Sequence, residues 1–444
     1  MQKKIANWGN YPVMDSNEIQ FSSINELRQI VNKNETIIAR GNGRCYGDAS
    51  LSAATVSTLK FNNILSFDEA TGVIECQSGV LLDELLDVIV PRGWFLPVTP
   101  GTKFITVGGA VASDIHGKNH HVDGAFSRHV ISMDVMLSAG DIITCSKESN
   151  ADLFKATCGG MGLTGIIVSV KFLLKKIETS YIKETKIKAY NLEELIDLFE
   201  KNKHFTYSVA WIDCLKKGKG FGRSILMLGE HAFKNELSDK QKEKGAFALP
   251  PKKAINFPFN LPSWVLNNFT VKAFNFLFYN KNFKKEKTSV IPYEPFFYPL
   301  DAILHWNRGY GKKGFVQYQF VVPMEKKEGL VNILRKISDK GWGSFLAVLK
   351  VFGEQNDLIS FPIEGYTLAL DFPVRNGLFE FLDELDEIVL QNGGRIYLSK
   401  DARMKSKTFW KGYANSGDFS SLINKYNPQK KFKSIQSARL AITN

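Results

Sequence analysis

The stretch TPGTKFITVGGAVASDIHGKNHHVDGAFSRHV, residues 99–130, decides how the rest of the chain reads. It joins a Pro-Gly turn, the pair Gly108-Gly109, a run of small residues at 110–113 and the cluster His116-Gly117-Lys118-Asn119-His120-His121. Paired glycines let a backbone approach a bulky ligand because no Cβ stands in the way. Three histidines fall within six residues, with Lys118 among them. A core segment has no use for that mixture, whereas a large planar or phosphate-bearing ligand does. A metal at His116, His120 and His121 is not expected, since no carboxylate or cysteine completes the set.

Working outward, RGNGRCYGD (40–48) follows a short apolar strand at 36–39. Its glycines alone fit either a tight loop or a cradle of backbone N–H groups for a phosphate. The spacing is neither a Walker A loop nor the G-x-G-x-x-G that opens a dinucleotide-binding helix. Alternation predicts strands at 72–77, 132–137 and 142–145, and apolar residues at helical spacing predict a helix over 81–89. The glycine-rich 159–165 precedes a strongly apolar strand. Strands and helices mix without regular βαβ order, which points to an α+β fold.

A chain of 444 residues exceeds one ordinary core and suggests two or three domains. The net charge of +12 suggests an acidic partner. No arginine-rich arm, zinc-finger spacing or aromatic RNP-type strand is present, so nucleic acid is not expected. Five widely spaced cysteines without a C-x-x-C read as reduced thiols. With no secretory h-region and no apolar run long enough to span a bilayer, the expected location is cytoplasmic.

Beyond residue 175 the texture changes. A helix is expected over 191–202, then a strand at 206–213. Three later strands, 315–322, 345–352 and 366–372, alternate with period two and suggest an antiparallel substrate-binding sheet. In the first, Gln317 and Gln319 share one face, readable as solvated or as paired amides over a site. Lys350 sits inside the apolar second strand, and Asp371 ends the third. Between them, residues 237–283 are rich in Phe, Trp, Leu and Pro with lysines at both ends. They read either as a packed arm or as a mobile lid for a lipid tail whose basic flanks suit anionic headgroups. A helix is expected over 377–391 and a strand over 395–400.

RGNGRCYGD (40–48), PGTKFITVGGAVASDIHGKNHH (100–121) and ADLFKATCGGMGLTGII (151–167) together resemble the FAD-binding half of the vanillyl-alcohol-oxidase, or PCMH-type, flavoproteins. Within that superfamily they resemble the branch that oxidises polyprenylphosphoryl ribose. The resemblance continues through HWNRGYGKKGFVQYQFVVP (305–323), SFLAVLKVFG (344–353), DFPVRNG (371–377), GGRIYLSKDAR (393–403) and NPQKKFKS (427–434). It implies an α+β two-domain flavoprotein: a FAD-binding domain at 1–179, a substrate domain at 180–394 with the lid-like insertion at 237–290, and a return to the FAD-binding domain at 395–444.

The resemblance also implies a reaction and its residues. FAD would rest on Arg40, Gly41, Asn42, Gly43, Arg44, Cys45, Tyr46, Gly47, Asp48, Gly101, Thr106, Val107, Gly108, Gly109, Ser113, His116, Gly117 and Ile167, with Tyr397 near the ring. Covalent members carry Arg-Gly-x-Gly-His-Ser in the first loop; here Arg44 and Cys45 take the last two places, so FAD is expected to be non-covalent. His116 and Lys400 are the expected catalytic pair, assisted by Tyr46. Lys118, Tyr310, Gln317, Gln319, Lys350 and Lys400 are expected to hold the substrate. The implied reaction oxidises the 2′-hydroxyl of a polyprenylphosphoryl ribofuranose to the ketone, which an NADH-dependent ketoreductase then returns as the arabinose epimer for cell-envelope polysaccharide. The charge and the greasy insertion agree with a lipid-linked sugar phosphate and with a peripheral position at the inner membrane. The competing expectation is a soluble sugar-lactone or alditol oxidase that uses oxygen.

Overall fold

The computed structural model describes residues 2–249, 254–262 and 265–443. Three sheets carry most of it. The amino-terminal sheet has four strands, with Met14–Gln20 and Ile38–Arg40 flanking Ala54–Ser57 in parallel. The second is antiparallel, in the order Ile64–Asp68, Val73–Gln77, Ile166–Leu173, Val130–Met136, Ile142–Ser146. Between its strands run the helices Leu82–Ile89 and Val107–Ala112, whose apolar residues join one core with the sheet.

The largest sheet has eight antiparallel strands, and its far half runs Tyr207–Ile212, Ala347–Phe352, Gly365–Pro373, Phe315–Pro323, Arg395–Ile396. Strands Tyr207–Ile212, Phe315–Pro323 and Gly365–Pro373 are buried almost throughout, so alternation has to divide them between two interiors. Tyr318, Phe320, Leu349, Leu368 and Leu370 face a core built with the helices Leu192–Lys201, Lys327–Lys340 and Leu378–Gln391. The other face carries the polar residues described below.

The expected strand at 395–400 is corrected. It stops at Ile396, and Leu398–Lys400 is a 3-10 turn in which Lys400 and Asp401 both donate their N–H to the Tyr397 carbonyl. That turn lets the Ser399 carbonyl accept from the Tyr46 N–H at 2.9 Å. The chain then crosses back to the amino-terminal sheet. Ile37 bridges Phe432, and Arg439 pairs with Asp48 at 2.8 Å.

Residues 250–253 and 263–264 of the aromatic insertion lie outside the described residues. Its longest described element is the helix Asn268–Asn280, laid across the polar face of the large sheet. Phe278 packs on Trp211 and Phe274 on Phe345. Buried Asn275 donates to Asp213 at 2.7 Å, and Asp213 is held in turn by Arg223. Among the described residues no helix is long and apolar enough to cross a membrane.

Candidate active site

Three strands lay the floor. Gln317 stands opposite Asp371, Gln319 opposite Ala369 and Lys350 opposite Thr367, so all these side chains rise from one face. Gln317 Nε2 donates to Asp371 Oδ1 at 2.6 Å, and the Tyr310 hydroxyl donates to Oδ2 at 3.1 Å. Gln319 Nε2 lies 3.0 Å from His116 Nε2 and 3.2 Å from Thr367 Oγ1.

His116 reaches that floor from a turn pinned by Asp114, which is held at φ +38°. The Asp114 carboxylate accepts from Ser127 N–H at 2.9 Å, Ser360 Oγ at 2.5 Å and Gln355 Nε2 at 3.0 Å. The His116 ring sits 4.6 Å from Phe352 and 5.4 Å from Tyr397, and among the described residues its Nδ1 finds no hydrogen-bond partner. Burial, then the charges of Lys350, His120 and Lys400, push its pKa well below 6.5, so the imidazole is neutral.

Lys400 Nζ lies 3.9 Å from the centroid of the Tyr46 ring. Burial brings this lysine down to about 7, opposed by Asp371 and reinforced by Lys350. Burial also lowers Lys350 to about 8 and, aided by Lys350, Lys118 to about 7. Asp371 is pushed up to about 7 by burial, with Gln317 and Lys400 acting the other way. Lys400 and Asp371 therefore exchange charge over the same pH range. Burial and then Asp371 hold the Tyr46 phenol well above 10, leaving it a neutral donor.

The loop of residues 40–48 makes the second wall. Among the described residues, none of the backbone amides from Gly41 to Cys45 donates to a protein acceptor. Five successive free N–H groups in a half-open loop form a cradle for an anion. A Cβ on Gly41 would stand 2.3 Å from Thr106 Oγ1, and one on Gly108 would stand 2.7 Å from Ser78 Cβ, so both must be glycine for the loops to close up. Gly101 faces open space, Gly109 N–H donates to Thr106 Oγ1, and Asn42 Nδ2 donates to the Phe104 carbonyl at 2.8 Å. An orphaned amide cradle beside a neutral imidazole fits the pyrophosphate and ring of FAD.

Several residues expected near the cofactor have other partners. Asp48 is chelated by Arg439 Nε and Nη2 at 3.0 and 2.8 Å. Arg40 donates to the Ala6 carbonyl, and Arg44 stacks 3.9 Å over Trp8. Val107 and Ile167 lie in the apolar core, and Gly117 packs against Asn119 and Thr99. The Tyr397 hydroxyl donates to the Ser113 carbonyl at 3.1 Å, and its ring stacks 4.4 Å from Phe361. Cys45 Sγ lies 3.3 Å from Ser50 Oγ, and burial raises its thiol. His120 turns to Gln355 and His121 to the Phe205 carbonyl, each at 2.9 Å.

Of the expected substrate residues, Tyr310, Gln317, Gln319 and Lys400 converge with Tyr46 and His116. Lys350 faces the same space, its charge acting on His116, Lys118 and Lys400. Lys118 is turned to one side, where it donates to the Phe296 carbonyl and lies 4.1 Å over the Phe296 ring. Asp371 and Thr367, absent from the expected set, are central to the cluster. The signal was available: the period-two alternation of 366–372 puts both on one face.

Residues 19–146 match the model of a FAD binding domain family. Over 413 residues the chain is 37% identical to the decaprenylphosphoryl-β-D-ribose oxidase of Mycolicibacterium smegmatis, covering 91% of this chain and 89% of that protein. Two further relatives match over part of their length. The L-gulonolactone oxidase of Mus musculus is 26% identical over 44% of each chain, and a putative D-arabinono-1,4-lactone oxidase of Neurospora crassa is 27% identical over 37% of this chain and 30% of its own. With FAD as its cofactor, an α+β fold of this kind and near full-length similarity, the chain belongs to the decaprenylphosphoryl-β-D-ribose oxidase family of FAD-dependent oxidoreductases.

Proposed function

We propose that this enzyme oxidises the 2′-hydroxyl of a polyprenylphosphoryl-β-D-ribofuranose to the 2′-ketone. The observation that carries the reading is the convergence of His116, Lys400, Tyr46, Gln317 and Gln319, each partnered as above, on a sheet face next to the amide cradle. FAD, when bound, supplies the acceptor for the hydride leaving the sugar carbon. Lys400 takes the hydroxyl proton, because at about 7 it is half neutral near pH 7. His116, whose proton affinity is far lower, is the poorer base and holds the hydroxyl in place. Tyr46, Tyr310, Gln317 and Gln319 fix the sugar, and Lys350 and Lys118 provide positive charge for its phosphate.

FAD is held without a covalent bond in this reading. Arg44 cannot serve as the attaching nucleophile, and the Cys45 thiol is kept protonated by burial. Residues 1–179 and 395–444 make the flavin-binding part and 180–394 the substrate part, with Arg395–Ile396 finishing the substrate sheet before the chain crosses back. A separate NADH-dependent ketoreductase consumes the ketone. The enzyme works peripherally at the cytoplasmic face of the inner membrane, where a lipid-linked substrate resides.

The test is an anaerobic titration with a short-chain polyprenylphosphoryl ribose. Bleaching of a yellow, acid-releasable flavin is expected. Bleaching by free alditols or lactones but not by that substrate would transfer the enzyme to the soluble sugar oxidases, and a colourless protein would refute the flavoenzyme reading.

A further inference from the structure

The insertion helix Asn268–Asn280 has two apolar faces, and only one of them is used. Val271, Phe274, Asn275 and Phe278 turn toward the protein, Phe278 onto Trp211, Phe274 onto Phe345 and Asn275 to Asp213. On the other side Phe269, Phe276 and Leu277 are exposed at 79%, 58% and 67%, and Phe283 beyond the helix end at 95%. Ile255 and Phe259 in the same insertion are also exposed. The buried hydrogen bond from Asn275 to Asp213 keeps the helix from rolling over to cover these rings.

Charge narrows the choice of partner. From Lys244 to Lys285 the sequence contains seven lysines and no acidic residue. Lys272, Lys281, Lys284 and Lys285 are exposed beside the aromatic side chains. Large apolar rings rimmed by lysine on a helix lying flat on the molecule suit the boundary between headgroups and acyl chains of an anionic bilayer.

The position of the helix relates that surface to catalysis. A small cleft lined by Tyr310 and Asp371 of the site floor, by Gly343 and Ser344, and by Asn268 and Val271 of the helix sets its first turn against the site. Phe269, the most exposed ring of that turn, is the neighbour of Asn268.

We propose that the Phe269–Phe276–Leu277 face docks in the plane of an anionic membrane, and that a lipid-linked substrate passes from the bilayer to the sugar site at the amino-terminal end of this helix. The docking part stands on the exposed face and its charge; the passage rests on the lipid-linked substrate proposed above.

The test uses flavin-loaded full-length protein and a triple variant, Phe269→Asp, Phe276→Asp and Leu277→Asp, none of which touches the site floor. Flotation with phosphatidylglycerol/phosphatidylcholine vesicles is expected to carry the parent protein and leave the variant behind, with binding weakened at high salt. Unchanged flavin content and unchanged turnover of a water-soluble short-chain substrate establish that the variant is folded. Its kcat/KM for long-chain substrate in vesicles should fall at least about tenfold.

Docking is overturned if the parent protein fails to float or the variant floats equally well. A dimer that dissociates only in the variant would assign the face to a second copy of the chain and also overturn it. Loss of flotation with unchanged long-chain turnover would overturn the passage. If the short-chain substrate reduces neither protein's flavin, the proposed sugar oxidation fails while flotation still decides the docking.

Discussion

Replacing Lys400 with methionine tests the chemistry most directly. The lysine is partly buried, its Nζ lies over the Tyr46 ring and desolvation brings its pKa down to about 7. Methionine keeps much of the volume and apolar contact and removes only the base and its charge. Loss of a positioned general base costs about 10²- to 10⁴-fold in the chemical step. The parent enzyme should carry the signature of this base in its pH profile. A lysine of pKa about 7 is about half neutral at pH 7 and about one-tenth neutral at pH 6, so the rate of flavin reduction should fall roughly fivefold over that unit. In the variant that limb should disappear along with the fast phase. The assay is anaerobic stopped-flow reduction of bound flavin by short-chain substrate between pH 5.5 and 9, with flavin content measured in parallel. A variant that keeps its flavin and reduces it within about threefold of the parent rate, with the same pH dependence, would refute the assignment of the proton to Lys400.

Other consequences follow from single contacts. Gln319→Leu removes the amide that holds His116 Nε2 at 3.0 Å, and flavin reduction should slow about tenfold with flavin content unchanged; equal rates would show that this contact does not position the imidazole. In Gly47→Ala the new Cβ would stand 1.8 Å from the Asp401 carbonyl oxygen, so the first flavin loop should separate from the carboxy-terminal turn. Purified protein should then retain little flavin and melt at a lower temperature. Acid stability is set partly by His231, enclosed by Phe95, Tyr207 and Phe297, with both ring nitrogens unpartnered among the described residues and its pKa lowered to about 3 by burial. Below pH 6.5 the unfolded chain binds a proton there that the folded chain does not, so stability falls with pH, by about 2 kcal/mol at pH 5 from this residue alone. His120, lowered to about 4, adds a similar effect. His231→Phe should therefore flatten the decline in melting temperature between pH 7 and pH 5, and an unchanged slope would exclude His231 as its source.

What the sequence by itself determined was local. Glycines at 41, 43, 47 and 108 stand where close approach or a left-handed backbone disfavours a side chain, so the close approach of these loops is written in single residues. Alternation likewise announced the strands that become Phe315–Pro323, Ala347–Phe352 and Gly365–Pro373, because period two is a property of an extended chain wherever it packs.

Tertiary structure decided the rest. Asp371 was placed at the end of its strand without a role, since only pairing with Gln317 and the nearness of Lys400 turn a strand aspartate into a counter-charge. The low proton affinities of Lys400 and His116 likewise come from burial among segments far apart in the chain. The predicted strand at 395–400 ended early because the Ser399 carbonyl has to meet the Tyr46 amide, a contact no local pattern encodes. In the aromatic insertion, composition called for something apolar, but the Asn275–Asp213 bond and the Trp211 ring chose which face would be covered and which would stay open. Motifs and periodicity are carried by neighbours along the chain; desolvation, charge pairing and the choice of a helix face depend on what the fold brings alongside.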